Sequence, residues 1–258
     1  MATNMKNKTM YGYPISSILF RIIGLIILFL FIFYISLSLS SYIILLSFVS
    51  IPIAFYLFII RFRNNFSSIR KRIIQEMIQQ ANLIGDEKVL DIGTGSGYAS
   101  IHFAKKLTTG FVIGIDKYDI KNERFFHWFI NELKINFFGN SLINAKENAV
   151  IENVEDNISF IKTDLIKSFP FCQNIFNVIL SSQFLYCIPQ NKLKEVMQEI
   201  DRVLSNDGLL VFFESKQFMN WNIQDVKVFF ENNGYDVNIL SLHFLSNKCI
   251  FVARKITL

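Results

Sequence analysis

The chain has 258 residues, 52% of them hydrophobic, and a mean hydropathy of +0.35, too apolar for a disordered protein or a nucleic-acid-binding tail. Its net charge of +5 sits at one end: eight basic residues and no acid precede Glu76, whereas residues 73–258 hold eighteen basic residues against all 21 acids, a net of −3. The basic balance therefore belongs to the N-terminal segment, and no nucleic-acid partner is expected.

Between Arg21 and Arg61 lie 39 consecutive residues without a formal charge. A membrane-spanning helix needs about 20 apolar residues, so this run has the length of nearly two crossings. Ser36, Ser38, Ser40 and Ser41 divide it, which predicts a hairpin of two transmembrane helices, about 17–37 and 42–60, within a membrane anchor over 1–63. Pro52 falls inside the second span, where membrane helices tolerate a kink. Basic residues flank both ends, so the positive-inside rule puts both termini and the domain over 64–258 on the cytoplasmic side of a two-pass membrane protein. A cleaved leader is disfavoured because a second apolar span follows at once. A hairpin buried in a soluble core is disfavoured by the length of the uncharged run.

Residues 61–72, RFRNNFSSIRKR, form a basic stretch suited to anionic headgroups, at about 1 kcal/mol per charge near the surface. A helix follows over about 67–83, with Ile69, Ile73, Ile74, Met77, Ile78 and Ala81 on one face and Gly85 as its stop. From Lys88 strands and helices alternate. Strands are expected at 89–92, 111–116, 158–163, 176–182 and 209–214, with helices near 98–107, 141–148 and 191–204. Strands that are apolar on both faces and joined by helices form a doubly wound parallel sheet. After a helix near 223–232, closed by Gly234, two strands at 237–242 and 250–253 are joined so tightly that they pair antiparallel. The expected fold is a Rossmann-like α/β sheet of seven strands with an antiparallel last strand, preceded by the transmembrane hairpin.

Val89-Leu90-Asp91-Ile92-Gly93-Thr94-Gly95-Ser96-Gly97 reads as a strand, a glycine loop and a helix start. Such a turn lies at the carboxyl edge of a parallel sheet, beside the crevice where nucleotides bind, and its glycines let backbone approach a ligand closely. The spacing D-x-G-x-G-x-G differs from the dinucleotide pattern G-x-G-x-x-G. Asp116 ends the second strand, where a carboxylate can accept both hydroxyls of a ribose. Asp164 follows the third and can accept an exocyclic amine. Each acid also fits a plainer role as a cap or a solvated loop residue.

With these residues in view, the stretch from Ile84 to Ala253 resembles the class I S-adenosylmethionine-dependent methyltransferases. The hairpin and the sequence Leu107-Thr108-Thr109-Gly110 make it similar, more narrowly, to small membrane-anchored methyltransferases with an N-terminal two-helix hairpin. The resemblance implies S-adenosylmethionine as cofactor, its methionine portion on Gly93, Gly95 and Gly97 with Asp91 near its amino group, its ribose on Asp116 and its adenine amine at Asp164. Thr94, Lys117, Leu165 and Ser181 complete the expected cofactor set. Arg202-Val203-Leu204-Ser205-Asn206-Asp207-Gly208 is similar to that family's turn between a helix and the fifth strand.

Methyl transfer from a sulfonium needs alignment more than an acid or a base, so catalytic residues are hard to name. Tyr98 and Tyr186 fit either contact with a cation or plain packing. Tyr186 stands in Ser181-Ser182-Gln183-Phe184-Leu185-Tyr186-Cys187-Ile188-Pro189, which the resemblance puts on the methyl-donor side; it takes the place of a histidine common there. Residues 117–139 form a long connection whose helix would carry Phe125, Phe126, Phe129, Ile130, Leu133 and Phe137 on one face and His127, Asn131 and Lys134 on the other. It suits a cover for the protein's own core, a lid over the substrate or a helix at headgroup level, and under the lid reading His127 is the histidine nearest the site. Cys172, Cys187 and Cys249 are scattered, so neither a metal site nor a disulfide framework is expected. The acceptor is expected to be a small or lipid-like molecule at the bilayer. The competing readings are a nicotinamide-dependent oxidoreductase and a non-catalytic S-adenosylmethionine-binding membrane protein.

Overall fold

The computed structural model describes residues 67–118, 141–218 and 221–256, together with Phe33 and Ala54. The expected hairpin, His127 and the proposed helix within 117–139 lie outside the described residues. Among the described residues no helix is long and apolar enough to cross a membrane. The chain divides into two compact units, residues 13–73 and residues 1–12 with 74–258, and the second carries the sheet.

Residues 67–81 are helical (α1), with Ile74, Met77 and Ala81 buried as their spacing predicts. The helix stops at Asn82, which takes the left-handed conformation (φ 47°) and donates its N–H to the Ile78 carbonyl at 3.1 Å. Gly85, expected as the stop, has another task. Its carbonyl accepts the N–H groups of Thr108, Thr109 and Gly110 at 2.7, 3.0 and 2.9 Å, and a Cβ on it would lie 2.7 Å from Thr108 Oγ1. The Thr-Thr-Gly turn before the second strand thus folds onto Gly85.

The remaining elements are β1 (Lys88–Ile92), α2 (Tyr98–Ala104), β2 (Phe111–Asp116), α3 (Leu142–Ile151), β3 (Ile158–Lys162), β4 (Phe176–Ser182), α4 (Gln190–Val203), β5 (Leu204–Ser215), β6 (Gln217–Phe218), β7 (Trp221–Asn222), α5 (Ile223–Asn232), β8 (Tyr235–Ser241) and β9 (Lys248–Lys255), with single 3-10 turns at Glu155–Asn157 and Leu185–Cys187. Seven strands form one sheet in the order β3-β2-β1-β4-β5-β9-β8. All neighbours pair in parallel except β9, which runs antiparallel to both β5 and β8. The expected seven-stranded mixed sheet is therefore the observed one.

Paired residues on neighbouring strands share a face. Leu90, Ile179 and Leu210 lie in one row and Ile92, Ser181 and Phe212 in the next. Their side of the sheet is covered by Leu193, Val196, Met197, Ile200 and Val203 of α4 and by Ile223, Val226 and Phe230 of α5, all buried. Those α4 residues follow the 3.6-residue period along a helix whose other side is polar, and each apolar side chain so buried contributes about 1.5–3 kcal/mol.

β5 departs from its expected start. Phe176 already pairs with Leu204, but Val178 pairs with Leu209, so the polar run Ser205 to Gly208 bulges out of an existing ladder instead of preceding it. The short β6–β7 ribbon was not foreseen. α2 closes at Ala104, earlier than expected, while α3 runs on to Ile151 and starts on Ser141, whose Oγ accepts from Asn144 N–H at 3.0 Å.

Candidate active site

The residues at the carboxyl ends of β2, β1, β4 and β5 converge on one edge of the sheet. There the chain leaves β1 through Gly93, Gly95 and Gly97, all at positive φ (75°, 54° and 80°), a conformation that costs other residues about 1–2 kcal/mol each. Gly93 and Thr94 both donate their N–H to the Ile115 carbonyl, at 2.9 and 3.1 Å, and Gly97 N–H donates to Thr94 O at 2.9 Å. Gly95 N–H donates to Asp116 Oδ2 at 2.8 Å, so the loop and the acid ending β2 are joined. Gly114 leaves the room this needs, since a Cβ there would stand 2.7 Å from Thr94 Oγ1. From α3, the buried Asn148 donates Nδ2 to Ser96 O at 2.9 Å.

Asp91 is 1% exposed. Ser100 Oγ donates to its Oδ2, which commits the single hydroxyl proton of Ser100. Thr94 Oγ1, 2.5 Å from Ser100 Oγ, is then the donor in that contact. Asp91 Oδ1 is buried and has no partner among the described residues. Burial pushes the Asp91 carboxyl up to about 6; the hydrogen bonds from Ser100 and Thr94 oppose this and the nearby Asp116 charge adds to it. A buried acceptor oxygen without a donor is costly, and a cationic donor from a ligand would relieve it. Tyr118, at φ 45°, donates its N–H to Asp116 Oδ1 at 3.3 Å. Its hydroxyl is also buried without a partner among the described residues, and burial, followed by the charges of Asp116 and Asp91, raises its proton affinity far above the phenol range.

The other expected cofactor residues are spread wider. Thr163 N–H donates to Asp116 O at 2.9 Å, which sets the start of the β3–β4 connection beside Asp116. The Asp164 carboxylate faces its own turn, accepting from Ile166 N–H at 3.3 Å. Lys117 is exposed, and the Leu165 side chain is spent in the core at 2% exposure. Ser181 is wholly buried, and its Oγ donates to Glu214 Oε1 at 3.3 Å. Tyr98 opens α2 with its ring tilted against His102 at 4.4 Å.

The segment after β4 packs on the glycine loop: a Cβ on Gly93 would lie 2.3 Å from Phe184 Cγ. In the same segment the Tyr186 ring meets Phe218 edge-on at 5.3 Å and carries Lys248 Nζ 5.8 Å from its centroid. Two residues outside the expected site, Glu214 and Lys248, bond to this segment. Glu214 was legible in one respect, as a lone acid within the apolar strand Leu209–Ser215. Ser100, Tyr118, Asn148 and Lys248 left no comparable local signal. Among the described residues no cluster of histidine, cysteine or acid side chains could hold a metal ion.

The family described as "Methyltransferase domain" matches residues 62–246. The release factor glutamine methyltransferase of Flavobacterium psychrophilum is 25% identical over 169 residues, which are 63% of this chain and 51% of that protein. The chain thus spans about half the length of that curated relative. Among solved structures, the cyclase SpnF superposes with a TM-score of 0.57 at 14% identity, over 74% of this chain and 83% of that one. The YcgJ protein of Bacillus subtilis superposes with a TM-score of 0.54 at 14% identity, over 72% and 99%. At these identities the two structures show the fold alone.

Proposed function

Because the chain belongs to the methyltransferase-domain family, we propose that it is a membrane-anchored methyltransferase acting on a small, amphiphilic or lipid-like acceptor. Methyl transfer from S-adenosylmethionine is the activity the family carries; the anchor rests on the 39 uncharged residues between Arg21 and Arg61 and on the basic residues at both ends of that run. Tethering raises the concentration of the enzyme beside molecules that live in the bilayer, which supports an amphiphilic acceptor.

The residues present fit the cofactor. The observation that carries the reading is the unpartnered, buried Oδ1 of Asp91 beside a loop of three left-handed glycines, an acceptor suited to an ammonium group. On this reading Asp116, at the end of β2, would accept the ribose hydroxyls and Asp164, beyond β3, the adenine amine. When bound, S-adenosylmethionine would supply an electrophilic methyl group, with the thioether of S-adenosylhomocysteine as the leaving group. The chain's own contribution is alignment: the glycine loop is fixed to Ile115 O, and Phe184 from the segment after β4 packs against Gly93. Burial, followed by the neighbouring Cys187 and Glu214, holds the Tyr186 hydroxyl above its ordinary range. The Cys187 thiol is likewise pushed up, first by burial. Neither is therefore poised as a base at neutral pH.

Calorimetric titration of the full chain in detergent with S-adenosylmethionine, S-adenosylhomocysteine and NAD tests the donor. Binding of the first two and not of NAD is expected, and binding of NAD alone would sink the reading. With a radiolabelled methyl donor and membrane extract, the label should enter the organic phase. Label appearing only in aqueous products would remove the lipid-like acceptor.

A further inference from the structure

Glu214 stands at the carboxyl end of β5, with its side chain at 0% exposure. Its Oε1 accepts the N–H groups of Phe184 at 2.9 Å and Leu185 at 2.8 Å, and the Ser181 hydroxyl at 3.3 Å. One carboxylate oxygen therefore gathers three donors from the end of β4 and the segment that follows it. Its Oε2 is buried without a partner. A buried carboxylate is costly unless it is hydrogen-bonded, and the donors that Glu214 collects come from the end of β4 and the segment after it.

Lys248 secures the same segment from another side. β9 runs antiparallel to β5, and its first residue pairs with Ser215, so the start of β9 reaches the edge where the parallel strands end. From there Lys248 Nζ donates to Gln183 Oε1 and to Ser215 Oγ at 2.6 Å, and lies over the Tyr186 ring. Gln183 needs such support: it sits at φ 60°, with its N–H on Phe213 O at 2.8 Å. The held segment touches the glycine loop through Phe184, whose Cγ would stand 2.3 Å from a Cβ on Gly93.

We infer that Glu214 and Lys248 are positioning residues that latch segment 183–187 against the glycine loop, so that cofactor affinity depends on two side chains outside the cofactor-binding set. The inference rests on the cofactor reading for its affinity readout and on geometry for the latch itself. Removing the carboxylate leaves the buried N–H groups of Phe184 and Leu185 without an acceptor, which releases the segment. A glutamine keeps a carbonyl oxygen for them. Cys187, exposed within the segment, reports the release by comparison with the glutamine variant, which equally removes the Glu214 charge that raises the thiol's proton affinity.

The test uses the full chain in detergent micelles, in a Cys172→Ser background, since Cys249 is buried. S-adenosylhomocysteine affinity is read by calorimetry, Cys187 alkylation by mass spectrometry, and folding by thermal unfolding. Glu214→Ala should weaken binding at least about tenfold, in line with the cost of orphaned buried donors, and speed alkylation. Glu214→Gln should stay within about threefold of wild type in both readouts, whatever it does to the unfolding temperature. Lys248→Met should speed alkylation and weaken binding by at least about threefold. A folded Glu214→Ala chain with unchanged affinity and thiol rate overturns the latch, as does a Glu214→Gln chain as impaired as the alanine variant. If Glu214→Ala does not fold, Lys248→Met and Glu214→Gln decide. If the wild type fails to bind S-adenosylhomocysteine, the cofactor reading falls, and the thiol rates still decide the latch.

Discussion

Asp91 and Glu214 are both buried, both lack a partner on one oxygen, and both are pushed upward by burial, to about 6 and about 7. A carboxyl whose proton affinity rises on folding stabilises the fold where it is protonated. That stability is complete below the unfolded-state values, near pH 4, and is lost as pH rises through about 6 for Asp91 and about 7 for Glu214, on the order of 3 kcal/mol each. Asp91→Asn removes one of these losses, so the unfolding temperature of the variant should gain on that of the wild type as pH rises from 5 to 8 in ligand-free samples. A bound ammonium favours the charged form of Asp91, so S-adenosylhomocysteine should bind more tightly by up to about tenfold between pH 5 and 7. Proton release near pH 6 should then be measurable by calorimetry in two buffers of different ionisation enthalpy. An affinity independent of pH in wild type would remove Asp91 from the amino-group role. Tyr118 belongs beside it at this scale: its hydroxyl is the other orphaned polar atom near Asp91 and Asp116.

At the scale of elements, the glycine loop is held by β2 below, α3 at the side and the segment after β4 above. Gly93→Ala adds a Cβ where Phe184 already stands, on a backbone at φ 75°; at least about tenfold weaker S-adenosylhomocysteine binding is expected by calorimetry. Asn148→Ala removes the hydrogen bond that its buried side chain donates to the Ser96 carbonyl, at about 1–2 kcal/mol. A fall in unfolding temperature of roughly 3–8 °C should follow in a scanning measurement. The same elements show what the sequence makes legible. β2 and β4 end where expected because they are short apolar runs bounded by polar residues, and α4 because its apolar face repeats over four turns. The start of β5 was hidden: Ser205-Asn206-Asp207-Gly208 has the composition of a turn, and pairing of Leu204 with Phe176 is a long-range event. Asp91, Asp116 and the three glycines announce themselves by spacing along one stretch of chain. Glu214 and Lys248 acquire their roles from partners 29 to 65 residues away, which no local pattern encodes.

For the whole molecule, charge and hydropathy divide the chain as the proposed anchor would require, with basic residues and the uncharged run at one end and an acidic domain at the other. If the proposed anchor holds, the full chain should resist extraction from membranes by alkaline carbonate. Protease added to inside-out vesicles should remove residues 73–258 while the same treatment of right-side-out vesicles leaves them intact. Extraction by carbonate, or protection in the opposite orientation, would overturn the two-pass arrangement. The glycine loop has a further consequence when viewed from the ligand's side. Gly93, Thr94 and Gly95 are already tied to Ile115 and Asp116, so no chain segment within the loop has to be ordered when the ligand arrives. The entropy of shaping the receptor was spent during folding, and capture becomes an encounter with a ready-made mould, its speed governed by collision and not by rearrangement of the loop.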